Sequence, residues 1–129
     1  MTTTITPVDP EELHRSPAFP QGMIVPSGPT LYVGGQNGVD AEGELVDGGL
    51  GPQTEQALRN VLAVLAAAGT GPEHTAKLTI YLDPSVDPND GYAASARVWT
   101  HRTAVTVLAV APARPGALVE IEAVAAIPG

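Results

Sequence analysis

The sequence predicts an α+β domain: a mixed β-sheet with two helices packed on one face. Three observations carry this expectation. Apolar residues recur every three to four positions over residues 53–68, which is the helical period. The runs "AKLTIYL", "AVTVLAV" and "ALVEIEAVAAI" are β-branched or alternating, as strands are. A second, shorter helical stretch, "GYAASARVWTH", lies between the first two of those runs.

In chain order, the prolines at Pro7, Pro10, Pro17, Pro20 and Pro26 keep the opening segment out of helix interiors, so residues 1–18 read as an extended or looped arm. Residues 23–25 and 30–33 are short β-rich pieces, and Pro-Ser-Gly-Pro between them suggests a hairpin. "NGVDAEGELVDGGLG" is turn-rich, with a tight turn at 41–43 and a loop over 48–52. From Gln53, the residues Ala57, Val61, Val64 or Leu65, and Ala68 share a helix face. Gly69 follows as the helix stop. Residues 76–82 form a strand, and "DPSVDPND" is a loop. Asp90 or Asn89 caps the second helix, on which Tyr92, Ala96 and Trp99 align along one side. Residues 104–110 are a strand, "APARPG" a turn, and 117–127 the final strand. The expected order is β-β-α-β-α-β-β, and pairing through "APARPG" would set the last two strands side by side and antiparallel.

At 129 residues the whole chain, 1–129, forms one domain, since a second core would be starved at this length. Its 43% hydrophobic content comes from Ala, Val and Leu rather than aromatics, so the core is built from small branched side chains. The formal net charge of −8 leaves no basic footprint, which argues against nucleic acid and against anionic membrane surfaces. Without cysteine there is no disulfide, thiol nucleophile or Cys-ligated metal. The start lacks the features of a signal peptide, and no stretch approaches the ~18 apolar residues of a membrane span. The expectation is a soluble cytoplasmic protein.

Two places carry chemistry. In the last strand Ala117, Val119, Ile121, Ala123 and Ala125 alternate with Glu120 and Glu122, whose carboxylates fall roughly 7 Å apart on the other face. A solvent-facing edge is the bland reading. Yet Leu118, Val124 and Ala126 flank them on that face, and a second apolar face implies an oligomer interface whose polar residues line a cleft between subunits. The other place is Arg102, in a chain with six Lys plus Arg. It either complements the dipole at a helix end or offers a planar fork to a substrate carboxylate. His14, His74 and His101 have no metal-ligand spacing, so no metal is expected, and only His101, beside Arg102, merits a test. No serine sits in a nucleophile elbow. Gly35 suits a close approach by backbone or ligand.

The blocks "TLYVGGQNGVDAEGELV", "QTEQALRNVLAVLAAAG", "AKLTIYL", "HRTAVTVLAV" and "LVEIEAVAA" occur in the order seen in the RidA family, also called the YjgF family, and the chain resembles it over residues 19–127. The resemblance implies a chorismate mutase-like fold forming a homotrimer, with sheets facing inward and clefts between subunits. It also implies hydrolysis of reactive 2-imino and 2-enamino acids to 2-oxo acids and ammonia without a cofactor. On that resemblance Arg102 falls on the arginine that holds the substrate carboxylate, Glu120 on the glutamate that helps position water, and Gly35 on the glycine beside the ligand. Ala104 falls on a residue, often cysteine, whose backbone contacts ligand. Phe19 takes the place of a tyrosine and Gly34 that of a common serine, so two hydroxyls are gone. Thr103 stands where related subgroups have proline, the stretch before Arg102 is shorter, and the family's ligand-contacting asparagine has no clear match.

Two rivals share the same residues: a non-catalytic binder of small carboxylate metabolites, and an enzyme acting on a specialised-metabolism intermediate. The family has also been linked to RNA cleavage, which the charge opposes. The roles of Glu122 and His101 are open at this stage.

Overall fold

The computed structural model describes residues 4–129. In chain order its elements are β1 (Thr6–Val8), β2 (Gly22–Ile24), β3 (Thr30–Asn37), α1 (Leu50–Ala67), a 3-10 turn (Pro72–His74), β4 (Thr75–Leu82), α2 (Pro88–Val98), β5 (Ala104–Ala109) and β6 (Val119–Ala126). The last four strands named, β3 among them, build one mixed sheet in the order β3-β6-β4-β5, while β1 and β2 form a separate antiparallel ribbon. The α+β class with two helices is as expected.

Helix α1 forms where the 3.6-residue period places Ala57, Leu58, Val61 and Leu65 on one face, and all four are fully buried. They pack on Val33 of β3 and on Val119, Ile121, Ala123 and Ala125 of β6. Each buried Leu or Val contributes about 1.5–3 kcal/mol. The helix begins at Leu50 rather than Gln53, because Pro52 lies in the first turn, where its missing N–H has no helical partner to lose. It stops as expected at Gly69, whose φ of 79° carries the chain into the left-handed region. The N–H of Gly69 bonds to the Ala66 carbonyl, and that of Thr70 to Leu65. Helix α2 also starts earlier than expected. Its cap is Asp87, whose side chain accepts from the Asn89 N–H at 3.0 Å, with Pro88 at the first helical position.

Two pairings differ from the sequence reading. Residues 23–25 make no hairpin with β3. Pro26 and Pro29 remove two donors from the connection, and β2 pairs instead with β1, Pro7 opposite Met23. The arm therefore contains a strand. Nor do β5 and β6 pair. Helix α2 returns the chain so that β5 lies parallel to β4, Lys77 opposite Ala104, as a strand-helix-strand crossover does. The connection 110–118 then crosses β4, and β6 pairs antiparallel with both β3 and β4.

Candidate functional site

The alternation in β6 holds. Val119, Ile121, Ala123 and Ala125 face the helices and are buried, whereas Glu120 and Glu122 lie half-buried on the opposite face. That face bears Tyr32 and Leu108, 76% and 44% exposed, so apolar side chains stand open around the carboxylates.

The two glutamates have different surroundings. Glu122 accepts a hydrogen bond from the Tyr81 hydroxyl, and that bond, followed by burial, pushes the phenol pKa up. Glu120 lies opposite Tyr81 in the β4–β6 register, and its Oε1 accepts from Asn37 Nδ2 at 3.4 Å. Asn37 is itself anchored, donating to the Val119 carbonyl at 3.1 Å. From α1, Asn60 donates to the Asn37 and Val39 carbonyls at 3.2 and 3.0 Å, so the helix seats the end of β3 that orients Glu120. Gly35 lies where the β3 register shifts between Val33 and Gln36. A Cβ there would stand 2.1 Å from Glu120 Oε2, so only glycine leaves room for this carboxylate. Nothing lies within 4 Å of a Cβ at Gly34.

Arg102 lies in the loop between α2 and β5. Its guanidinium turns to the N-terminal arm rather than to the helix end: Nη1 meets Asp9 Oδ2 at 3.3 Å and Nη2 donates to the Ser16 carbonyl at 3.0 Å. Its Nε is buried without a partner. Asp9, with 8% of its side chain exposed, also accepts from the Gln21 N–H at 3.1 Å. That backbone bond, together with Arg102, holds its carboxyl below the ordinary 3.8. One nitrogen of the fork therefore already meets a carboxylate of its own chain. The loop is set by Trp99, whose indole N–H donates to the buried Thr103 hydroxyl at 2.9 Å.

Arg102 and His101 border a cavity of about 780 Å³ between the helices and the inner face of β4 and β5. Phe19 stands at its edge, packed edge-on against Tyr92 with ring centroids 6.0 Å apart. Ala104 and Phe19 also border a smaller hollow of about 390 Å³ beside Lys77 and Gln21.

Arg102 and Glu120 of one chain do not meet. Ala104 is level with Lys77, and Glu120 with Tyr81, four residues along and two strands across. At ~3.3 Å per residue and ~4.8 Å per strand their Cα atoms are about 16 Å apart. Arg102 precedes Ala104 and lies further off still, and its cavity opens on the other face of the sheet.

Sequence reasoning missed Asp9, Asn37 and Tyr81, and also Thr54 of α1, which borders the cavity with its hydroxyl buried and unpartnered. Asp9 reaches Arg102 across 93 positions and Asn37 reaches Glu120 across 83, so no local spacing marks them.

The chain matches the family described as Endoribonuclease L-PSP over residues 12–127. It is 33% identical over 115 residues to the RutC family protein PH0854 of Pyrococcus horikoshii, covering 84% of this chain and 88% of that protein. It is 39% identical over 74 residues to the 2-iminobutanoate/2-iminopropanoate deaminase of Rattus norvegicus, covering 57% of this chain and 50% of that one. Among solved structures it is similar to YyfB of Yersinia pestis, a conserved Rid-family protein of unknown function. The TM-score is 0.86 at 32% identity, covering 96% of this chain and 99% of that one. No helix among the described residues is long and apolar enough to cross a membrane.

Proposed function

The chain belongs to the Endoribonuclease L-PSP family, which is the YjgF/RidA family, and from that premise we propose that it hydrolyses reactive 2-imino and 2-enamino acids to 2-oxo acids and ammonia. The separation of Arg102 from Glu120 carries the form of the proposal. The reacting centre lies between copies, Arg102 of one facing Glu120 of the next, in a homotrimer joined through the open face of the sheet. The exposed Tyr32 and Leu108 on that face support this assembly.

Arg102 binds the substrate carboxylate bidentately in place of Asp9. This fixes the C=N carbon beside a water whose proton Glu120 accepts. An enamine first tautomerises to the imine by taking a proton from water at carbon. The water oxygen then bonds to the C=N carbon, and Glu120 returns the proton it took to the nitrogen. As the carbinolamine hydroxyl gives up its proton to Glu120 the C–N bond breaks, releasing ammonia and leaving the 2-oxo acid. Glu120 suits this role better than Glu122, whose carboxylate is engaged by Tyr81. Phe19, Gly35 and Ala104 border the path of the ligand, and the chemistry needs no cofactor.

In an assay coupling a freshly generated amino-acid imine to 2-oxo acid release, Arg102→Ala is expected to lower kcat/KM by at least ~10²-fold. Unchanged rates would remove this mechanism. Sedimentation should give a three-chain particle.

The hold of Asp9 on Arg102 favours a second reading, a non-catalytic sensor of carboxylate metabolites in which ligand displaces the arm. Binding of a 2-oxo acid without imine turnover would select it. RNA cleavage is disfavoured by the charge of −8, and a nuclease assay at low salt, where binding is strongest, checks this.

A further inference from the structure

We infer that the cavity behind Arg102 is a side-chain pocket, and that the acids bound there carry a bulky apolar substituent, branched or aromatic, beside the carbon next to the carboxylate. The inference rests on Arg102 being the carboxylate anchor, as proposed above.

The cavity exists because α2 leans on α1 instead of on the sheet. At Gly91 a Cβ would lie 3.3 Å from Leu50 Cδ2, and at Gly51 one would lie 4.0 Å from Ala94, so small residues bring the two helices together. On the side of α2 toward β4 and β5, Ser95 and Ala96 are too short to fill the space. The sheet side keeps an apolar floor of Leu78, Ile80, Leu82, Val105 and Val107, of which Val107 is half exposed.

At about 780 Å³ the space falls in the range of sites that enclose a whole small molecule. A one-carbon substituent would leave most of it empty. A branched or aromatic one gains affinity by about fourfold for each methylene buried.

Two buried polar side-chain atoms among its described lining residues have no partner. One is Arg102 Nε at the anchored end. The other is Thr54 Oγ1, on a residue only 2% exposed. A ligand with an anionic head, an apolar body and one hydrogen-bonding atom along its length satisfies both. The Phe19–Tyr92 edge-on pair supplies a further apolar wall.

Trp99, the single tryptophan, lines the cavity, so its emission reports occupancy whether or not anything is turned over. The test titrates the intact protein with 4-methyl-2-oxopentanoate and with pyruvate, two stable 2-oxo acids of different bulk. The expected result is a change in Trp99 emission and a Kd at least ~30-fold lower for the bulkier acid. In Ala96→Phe, which fills the space from an exposed helix position, that preference should collapse toward unity. Val107→Phe, from the sheet side, should do the same if the first variant folds poorly.

Equal affinities for the two acids, or an undiminished preference in folded Ala96→Phe and Val107→Phe, overturn the pocket. Arg102→Ala separates the two ideas. If the preference is present in the wild type but Arg102→Ala leaves both affinities unchanged, the carboxylate anchor fails, and the inference falls with it for a different reason. Imine turnover without any preference sinks the pocket alone.

Discussion

Replacing Gly35 by alanine tests how the glutamate is placed. The added methyl carbon would stand 2.1 Å from Glu120 Oε2, 2.9 Å from Cδ and 3.0 Å from Cγ. A carbon and an oxygen approach comfortably to about 3.3 Å, so the carboxylate must retreat by roughly 1.2 Å. The obstruction is the far end of a flexible side chain rather than backbone, so Glu120 moves and the strand stays. Gly35 is not among the glycines with positive φ, and alanine fits its backbone. Stability should therefore change by no more than about 1 kcal/mol. A displacement of this size in a catalytic group lowers kcat by about 10²-fold. Turnover of a fresh imine and thermal unfolding of the same sample measure the two quantities. Because the effect is transmitted through Glu120, Gly35→Ala should cost nothing further in a Glu120→Ala background. Full turnover in Gly35→Ala, or an equal loss in both backgrounds, would refute this account of the site.

Two other changes probe the arm and the core. The Asp9 carboxyl is held below its ordinary 3.8, so its charged form favours the folded arm above that pH, and this contribution is lost as pH falls through the depressed value. Asp9→Asn should accordingly flatten the fall in Tm as pH is lowered through the ordinary 3.8 and below it, and should lower the KM for a carboxylate substrate by freeing Arg102; an unaltered Tm profile would mean that the contact does not hold the arm. Leu65→Ala, at a fully buried position between α1 and the sheet, should cost about 2–5 kcal/mol in urea denaturation. A loss under about 1 kcal/mol would show that α1 can resettle on the sheet.

Readable in the amino-acid sequence were those elements whose own periodicity is strong. Helix α1 declared itself through Ala57, Val61 and either Val64 or Leu65, with the stop at Gly69, and β6 through its alternation. Strand neighbours were not readable, because the period of β5 is the same whether it lies beside β4 or β6. What decides is the crossover made by α2. The three-residue strand β1 was hidden by Pro7 and by its brevity, whereas β2 was legible as a β-rich piece at 23–25 but not the partner it takes. At the site, Arg102 and the glutamates stood out as charges within apolar runs. Their partners did not, since Asp9 and Asn37 are joined to them only by the fold. The cavity was not legible: spacing aligned Tyr92, Ala96 and Trp99 on one side of α2, but the lean of α2 that leaves space before them depends on Gly51 and Gly91 in separate helices.

The position of β6 also bears on how the molecule comes into being. Although it follows every other strand along the chain, it occupies the interior of the sheet, between β3 and β4. During synthesis β4, α2 and β5 can assemble as they emerge, but β3 has no neighbour in that sheet until residues 119–126 appear, and α1 has only half its seat. Closure waits for contacts between distant parts of the chain, which slow folding. Until then the apolar face of α1 and the unpaired edges of β3 and β4 are open to other nascent chains, and the protein is most exposed to aggregation just before its final strand arrives.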